Sequence, residues 1–214
     1  MPQCYLCERE ADTRDHVPPR AFFDVLPTNM PTLPACSICN ASYAKDEEYF
    51  RTIVVAACCG TSQAANRVWS GSVSRSLGRK AYGGLRKRLV GSLVTVELDN
   101  ELGEPAGKLP GLVVEGGRVA RVVRKIMRGL FFHKKEQTLA DCDLIIFRGG
   151  DVKLDVAQIT RRWSERDMGE VFRFRWQFDD KGGAIWIEFY RTQWWLALTG
   201  NRARNYPTSK AKGR

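Results

Sequence analysis

Apolar and polar positions change their period along the chain, and each period predicts a different element. Between Asn40 and Cys59, apolar or aromatic residues fall at positions 43, 44, 50, 53, 54 and 57. This spacing is close to helical and predicts a helix over about 41–59. Segment 119–133 places apolar residues on one helical face and predicts a second helix, rich in Lys and Arg. Its apolar residues are Val119, Val122, Val123, Ile126, Met127 and Leu130.

The C-terminal third changes to strand patterns. Segments 171–178 and 184–190 are joined by a short Gly-containing connection, which is typical of a β-hairpin. Segment 193–199 extends this antiparallel meander, and shorter strands are predicted at 92–98 and 142–147.

The middle of the chain is less regular. Segment 67–91 is predicted to be helical with a break near Gly83, and segment 100–111 is predicted to be a loop. The predicted fold class is therefore α+β.

Three regions follow from these patterns. Residues 1–60, called the head below, are rich in Pro, Cys and turn-forming residues up to position 40. Residues 61–200, called the body, combine basic helices with an antiparallel sheet. Residues 201–214 are predicted to be a basic, flexible tail.

Composition places the chain among ordinary globular proteins. It has 214 residues, 43% of them hydrophobic, and it contains no run of about 18 apolar residues. We expect no membrane span, no signal peptide and a cytoplasmic location. Five of the tryptophans lie in or near the predicted strands, where packing is favoured over stacking on bases. They are Trp163, Trp176, Trp186, Trp194 and Trp195.

Charge is distributed unevenly. The net charge is +10 for the whole chain, −3 for residues 1–60 and +13 for residues 61–214. A polyanionic partner would therefore contact mainly the body. Two clusters of Lys and Arg contain no acidic residue, and either is a candidate phosphate-binding surface or a plain solvated face. The first comprises Arg67, Arg75, Arg79, Lys80, Arg86, Lys87 and Arg88, and the second Arg118, Arg121, Arg124, Lys125, Arg128, Lys134 and Lys135.

Four cysteines form two C-x-x-C pairs separated by 28 residues: Cys4, Cys7, Cys36 and Cys39. Two such pairs can complete a tetrahedral Zn²⁺ shell, so we predict a structural zinc. Four thiolates leave no open position, so this zinc would not be catalytic. Disulfides or unrelated buried thiols are the alternatives. The other cysteines, Cys58, Cys59 and Cys142, are predicted to be buried packing residues.

An Asp-His step, Asp15-His16, lies between the two cysteine pairs. An isolated histidine is more often structural than catalytic. Here, however, Pro18 turns the chain just after the step, and Asn40 follows the second cysteine pair at a predicted helix start. The zinc would hold a carboxylate, an imidazole and an amide close together.

This arrangement resembles the HNH endonucleases, in the zinc-containing subgroup of the ββα-metal nuclease fold. The resemblance covers about residues 1–58 and implies that Asp15 and Asn40 bind a catalytic Mg²⁺ or Mn²⁺ and that His16 is the general base. The family's middle Asn is absent: Pro31 occupies its position, and Asn29 is the nearest candidate. The residues that carry the resemblance are Cys4, Cys7, Asp15, His16, Pro18, Cys36, Cys39 and Asn40.

The residue types suit phosphodiester hydrolysis. A neutral histidine can accept a proton from water near pH 7, and oxygen ligands suit a hard divalent cation. Arg20 either contacts the scissile phosphate or is a solvated surface charge. Asp46 and Glu47 either add ligands to the site or form a solvated acidic first turn of the helix.

The sequence therefore predicts a metal-dependent endonuclease that acts on DNA, with RNA not excluded. A bacterial or phage origin would suit such a chain, in defence, restriction or packaging. Its C-terminal body is also a candidate surface for a homodimer or a partner protein. The competing hypotheses are a non-catalytic zinc-ribbon-like module that binds nucleic acid, and an assembly protein whose zinc only folds the head.

Overall fold

A computed structural model describes residues 2–150, 155–180, 182–200 and 203. The predicted tail lies outside these residues, except for Ala203. The fold is α+β, as predicted. The helices are α1 (Ser37–Cys58), α2 (Gln63–Val68), α3 (Ser74–Gly78), α4 (Gly83–Gly91), α5 (Gly116–Lys135) and α6 (Val156–Thr160). The strands are β1 (Thr13–His16), β2 (Thr32–Ala35), β3 (Leu93–Asp99), β4 (Pro105–Leu112), β5 (Leu144–Arg148), β6 (Ser164–Met168), β7 (Phe172–Asp179), β8 (Gly182–Phe189) and β9 (Gln193–Gly200).

The head is built from one antiparallel hairpin and one long helix. Strands β1 and β2 pair so that Asp15 lies opposite Leu33. Helix α1 follows directly and begins four residues earlier than predicted, because the Cys36 thiol caps it by accepting a hydrogen bond from the Cys39 amide. Asn40 therefore lies in its first turn, and Asp46 and Glu47 lie well inside it.

The predicted helix over 67–91 is divided into α2, a short π-helical turn, α3 and α4. The break falls at Arg79, whose extended backbone ends α3, and Gly83 begins α4 instead of interrupting it.

The predicted loop over 100–111 is wrong in its second half. That half forms β4, which pairs with β3 in an antiparallel hairpin exposed along most of its length. Gly and Pro at positions 105, 107, 110 and 111 weaken the strand pattern, and this edge strand tolerates them because it has only one neighbour.

The C-terminal strands form a five-stranded antiparallel sheet in the order β5-β9-β8-β7-β6. The predicted strands of the meander are confirmed, whereas α6 and the edge strand β6 were not predicted. Of the five tryptophans in or near the predicted strands, Trp186 and Trp195 are buried and the other three are partly buried, which favours packing. Cys142 is exposed, contrary to the prediction, because it lies in a 3-10 turn before β5.

One hydrophobic cluster extends from the head, through α1 and α5, to the five-stranded sheet. Phe22, shortly after the Asp-His step, packs on Phe189 of β8 at 4.5 Å between ring centroids, and its carbonyl accepts a hydrogen bond from Tyr190. Helix α5 approaches the head hairpin closely at Gly129, where a Cβ would lie 2.7 Å from the side chain of Val17. The body therefore supports the residues that flank the candidate site.

Candidate functional site

Four cysteines converge at the base of the head hairpin. The Sγ atoms of Cys4, Cys7, Cys36 and Cys39 all lie within 4.8 Å of one another, and those of Cys7 and Cys36 are 3.6 Å apart. Thiolates bound tetrahedrally to zinc at about 2.3 Å would have similar separations. These four residues could hold a metal ion, and their softness and geometry are compatible with a structural Zn²⁺.

The protonation of this tetrad is biased by its surroundings. Arg9 donates a hydrogen bond to the thiol of Cys7 and lowers its pKa to about 6. Burial raises the pKa of Cys39 to about 12 in the metal-free protein. Metal binding requires thiolates, so it would release protons from this tetrad.

Asp15 is buried on β1 and has two donors. The hydroxyl of Tyr5 and the ammonium of Lys125 both lie 2.7 Å from its Oδ2 atom. No partner of Oδ1 is found among the described residues. Burial and the charge of Asp15 raise the pKa of Tyr5 well above its ordinary value, so this phenol stays protonated and donates.

Lys125 reaches Asp15 from the body. Its side chain is only 2% exposed, and it also forms an ion pair with Glu47 of α1. Burial alone would lower the pKa of Lys125, but Glu47 and Asp15 outweigh burial and raise it. The ammonium therefore stays charged between two carboxylates.

Asp46 and Glu47 are not the solvated acidic turn considered above. Asp46 accepts hydrogen bonds from Arg118 and Arg121 of α5, each at 2.6 Å. Burial would raise the pKa of Asp46, but these two guanidinium groups lower it. Burial raises the pKa of Glu47, and Lys125 offsets this only in part. Both acids connect α1 to α5.

The remaining predicted site residues have few partners. His16 is partly buried beside Asp15, and within the described part of the chain its ring forms no hydrogen bond or ion pair. Asn40 is also partly buried; its backbone amide donates to the carbonyl of Cys36, and no hydrogen bond of its side chain to another described residue is found. Arg20 is exposed at the start of a short 3-10 helix.

Asn29, the candidate for the middle Asn, is held against the sheet. Its side-chain amide donates to the backbone carbonyl of Asp167 at 3.2 Å, and its backbone carbonyl accepts a hydrogen bond from the guanidinium of Arg166. Arg166 also donates to Nε2 of His133 at 3.1 Å. Asn29 thus connects the loop between β1 and β2 to strand β6.

The two basic clusters differ in their environment. In the second cluster, Arg124 and Arg128 bond to backbone carbonyls, and Lys134 lies over the ring of Trp176. Together with the ion pairs of Arg118, Arg121 and Lys125, these contacts make α5 mainly an internal connector. In the first cluster, five exposed side chains have no acidic partner among the described residues: Arg75, Arg79, Lys80, Arg86 and Lys87.

A cavity of about 860 Å³ lies between α1, α5 and the β3–β4 hairpin. Its lining includes Ile53, Leu89, Leu112 and Val119, and none of the predicted site residues contributes to it. The candidate site is therefore a surface of the head and not this cavity. No helix in the described parts of the chain is long and apolar enough to span a bilayer.

Lys125 contacts Asp15, although the sequence pattern places it only among the cations of the second basic cluster. A signal was present: Lys125 lies three residues after Val122 and four before Gly129, on the face of α5 that packs against the head. Comparisons with family models, curated proteins and solved structures gave no match.

Proposed function

We propose that this protein is a metal-dependent endonuclease of the HNH type that hydrolyses phosphodiester bonds of DNA. The observation that supports this most strongly is the order of elements around the cysteine tetrad. The Asp15-His16 step ends the first strand of a hairpin, and the second strand leads directly into the Cys36 pair, Asn40 and α1. This is the hairpin-plus-helix order that the resemblance implies.

His16 is the proposed general base. Its ring has no hydrogen-bonding partner among the residues described, so a nitrogen is free to accept a proton from water. Arg20 is exposed four positions later and can contact a phosphate without breaking an ion pair. These two residues would orient the water and the scissile phosphodiester.

Asp15 and Asn40 are the proposed ligands of a Mg²⁺ or Mn²⁺ ion. Oδ1 of Asp15 and the amide oxygen of Asn40 are hard donors, and neither is engaged by another described residue. When bound, the divalent cation would supply positive charge to the leaving oxygen.

DNA is the proposed substrate because unpaired cations gather in one part of the body. Arg75, Arg79, Lys80, Arg86 and Lys87 are exposed within one stretch of 13 residues, and contacts with phosphates need no base sequence. RNA offers the same phosphates and belongs in the same test.

Plasmid cleavage tests the proposed function. Purified, zinc-loaded protein should cut plasmid DNA when Mg²⁺ or Mn²⁺ is added, and a chelator should stop the cutting while the tetrad retains zinc. A single-stranded DNA and an RNA in parallel identify the preferred polymer. Absence of cutting on all of these substrates with every divalent cation would contradict the proposal.

A second candidate is a non-catalytic module that binds nucleic acid. It is favoured by the Lys125 ammonium, which already neutralises part of the Asp15 charge. Tight, salt-sensitive DNA binding without cleavage would support this alternative.

A further inference from the structure

Lys125 lies in a buried cluster of charged and polar groups where the body meets the head. The exposed fraction of the side chain is 2% for Lys125, 8% for Asp15 and 19% for Glu47. The ring of Tyr43 faces the ammonium at 5.2 Å, and Tyr5 shares the Oδ2 atom of Asp15 with it. Lysine is almost never buried this deeply without charged partners.

The cluster holds two carboxylates and one ammonium, so its net charge is negative. Two carboxylates so close together are a common arrangement for binding a divalent cation. Here Lys125 contacts both, and Glu47 has no other ionic partner among the described residues. A divalent cation bound at Asp15 would be repelled by this ammonium across a short, poorly screened distance.

Neighbouring acids of α1 have other partners. Asp46 pairs with Arg118 and Arg121, and Glu48 pairs with Arg51 at 2.6 Å. Among the residues that the structure describes, Lys125 is therefore the one cation paired with Asp15 and Glu47, and its replacement changes their surroundings specifically.

We propose that Lys125 is a built-in counter-cation of the candidate catalytic site, which lowers its affinity for a divalent cation and keeps Glu47 from acting as a metal ligand. This inference rests on the proposed function in one respect, that Asp15 receives the cation. Lys125 is a positioning residue: it fixes Asp15 through Oδ2 and leaves Oδ1 to the metal.

Manganese binding to the zinc-loaded protein without nucleic acid tests this proposal. Free Mn²⁺ is measured by its electron paramagnetic resonance signal during a titration near pH 8. Lys125→Met should bind Mn²⁺ at least about tenfold more tightly than the wild type, because a nearby positive charge is removed. Lys134→Gln removes one positive charge from the same helix and should leave the dissociation constant unchanged.

The role of Glu47 is tested in the double variant. If Glu47 becomes a second ligand once the ammonium is absent, Lys125→Met with Glu47→Gln should return the Mn²⁺ affinity to near the wild-type value. A tightening that persists in the double variant would overturn the part of the proposal that concerns Glu47. Lys125→Gln removes the charge but keeps a hydrogen-bond donor. It replaces Lys125→Met in the Mn²⁺ titration if Lys125→Met loses its zinc or its helical circular dichroism signal.

An unchanged or weaker Mn²⁺ affinity in a folded Lys125 variant would overturn the proposal, as would no Mn²⁺ binding by either variant. These outcomes are separate from failure of the proposed function, since no substrate is present. A wild type that cuts nothing, together with a Lys125 variant that binds Mn²⁺ tightly, would refute the nuclease and support the counter-cation.

Discussion

Cys36 has two roles that can be separated by one substitution. Its thiol belongs to the tetrad, and it also accepts the amide hydrogen bond that begins α1. Serine is an equally good helix cap but a poor zinc ligand. The residue therefore distinguishes stabilisation by metal from stabilisation by capping.

We expect Cys36→Ser to lose zinc and to be less stable than the wild type, because a structural zinc contributes directly to folding. Zinc content by elemental analysis and a thermal unfolding curve measure the two effects. The matched control is Cys142→Ser, which replaces an exposed cysteine outside the tetrad and should keep both zinc and stability. Equal zinc content in Cys36→Ser and the control would contradict the metal assignment.

The ion pairs of Asp46 give a second prediction at this scale. Asp46→Asn keeps the shape of the side chain but removes the charge that pairs with Arg118 and Arg121. We expect it to lower the free energy of unfolding by roughly 1–3 kcal/mol, because these guanidinium groups hold the pKa of Asp46 below its ordinary value and so favour the charged form. Denaturant unfolding of this variant and of Glu97→Gln measures the two losses of stability. Glu97→Gln is the control because it breaks an exposed ion pair with Lys108. Equal losses in both variants would contradict a partly buried pairing role.

At the scale of elements, α5 does more than its amphipathic pattern predicts. The apolar face was readable from the sequence, and the helix covers the predicted range with a few more residues at each end. What the pattern did not reveal is that its cations turn inward to Asp15, Asp46 and Glu47, because partners distant in sequence leave no periodic signal. The cysteine cluster was predictable, since the C-x-x-C spacing itself carries geometric information.

The same reasoning explains the elements that sequence patterns missed. Strand β4 contains two prolines and two glycines, so its composition favours a loop, and only pairing with β3 makes it a strand. Strand β6 carries four charged or polar residues in five positions and is ordered by pairing with β7. In both strands tertiary pairing outweighs local propensity.

The C-terminal end of α5 contains a histidine that folding keeps neutral. Burial, helped by Lys134 and Arg166, lowers the pKa of His133 from 6.5 to about 4, and its Nε2 accepts from Arg166. The unfolded chain protonates this residue below pH 6.5 while the folded protein does not until about pH 4. Its contribution to stability is therefore complete above pH 6.5 and is lost as the pH falls towards 4.

We expect His133→Gln, which keeps an acceptor for Arg166 but cannot be protonated, to flatten this pH dependence. The free energy of unfolding of the variant minus that of the wild type should be about 1 kcal/mol larger at pH 5 than at pH 7.5. This value is reduced for solvent screening. Denaturant unfolding of both proteins at the two pH values measures it. A difference between the proteins that does not change with pH would show that His133 titrates normally.

At the scale of the whole molecule, the acidic head and the basic body are held together by a common core and by ion pairs between α1 and α5. Much of the positive charge of α5 is used in this way. The cations around α3 and α4 that have no acidic partner among the described residues are therefore the proposed phosphate contacts of the body. Net charge alone could not separate these two groups of cations.

Removal of two of these cations should weaken DNA binding in a salt-dependent manner. Arg79→Ala with Lys80→Ala should reduce the slope of log affinity against log salt by about 1 to 2. Arg161→Ala with Arg162→Ala removes the same charge from exposed positions beside β6 and should leave the slope unchanged. Equal changes in both double variants would indicate that only net charge matters.

The central claim is that His16 activates water for phosphodiester hydrolysis. It is tested most directly by replacing each of the only two histidines in the chain in turn. The measurement is the single-turnover rate of plasmid cleavage at saturating Mg²⁺, with zinc content confirmed for each protein. We predict that His16→Ala lowers the rate by at least about 100-fold, whereas His133→Ala stays within about threefold of the wild type. Equal rates for His16→Ala and the wild type would contradict the account.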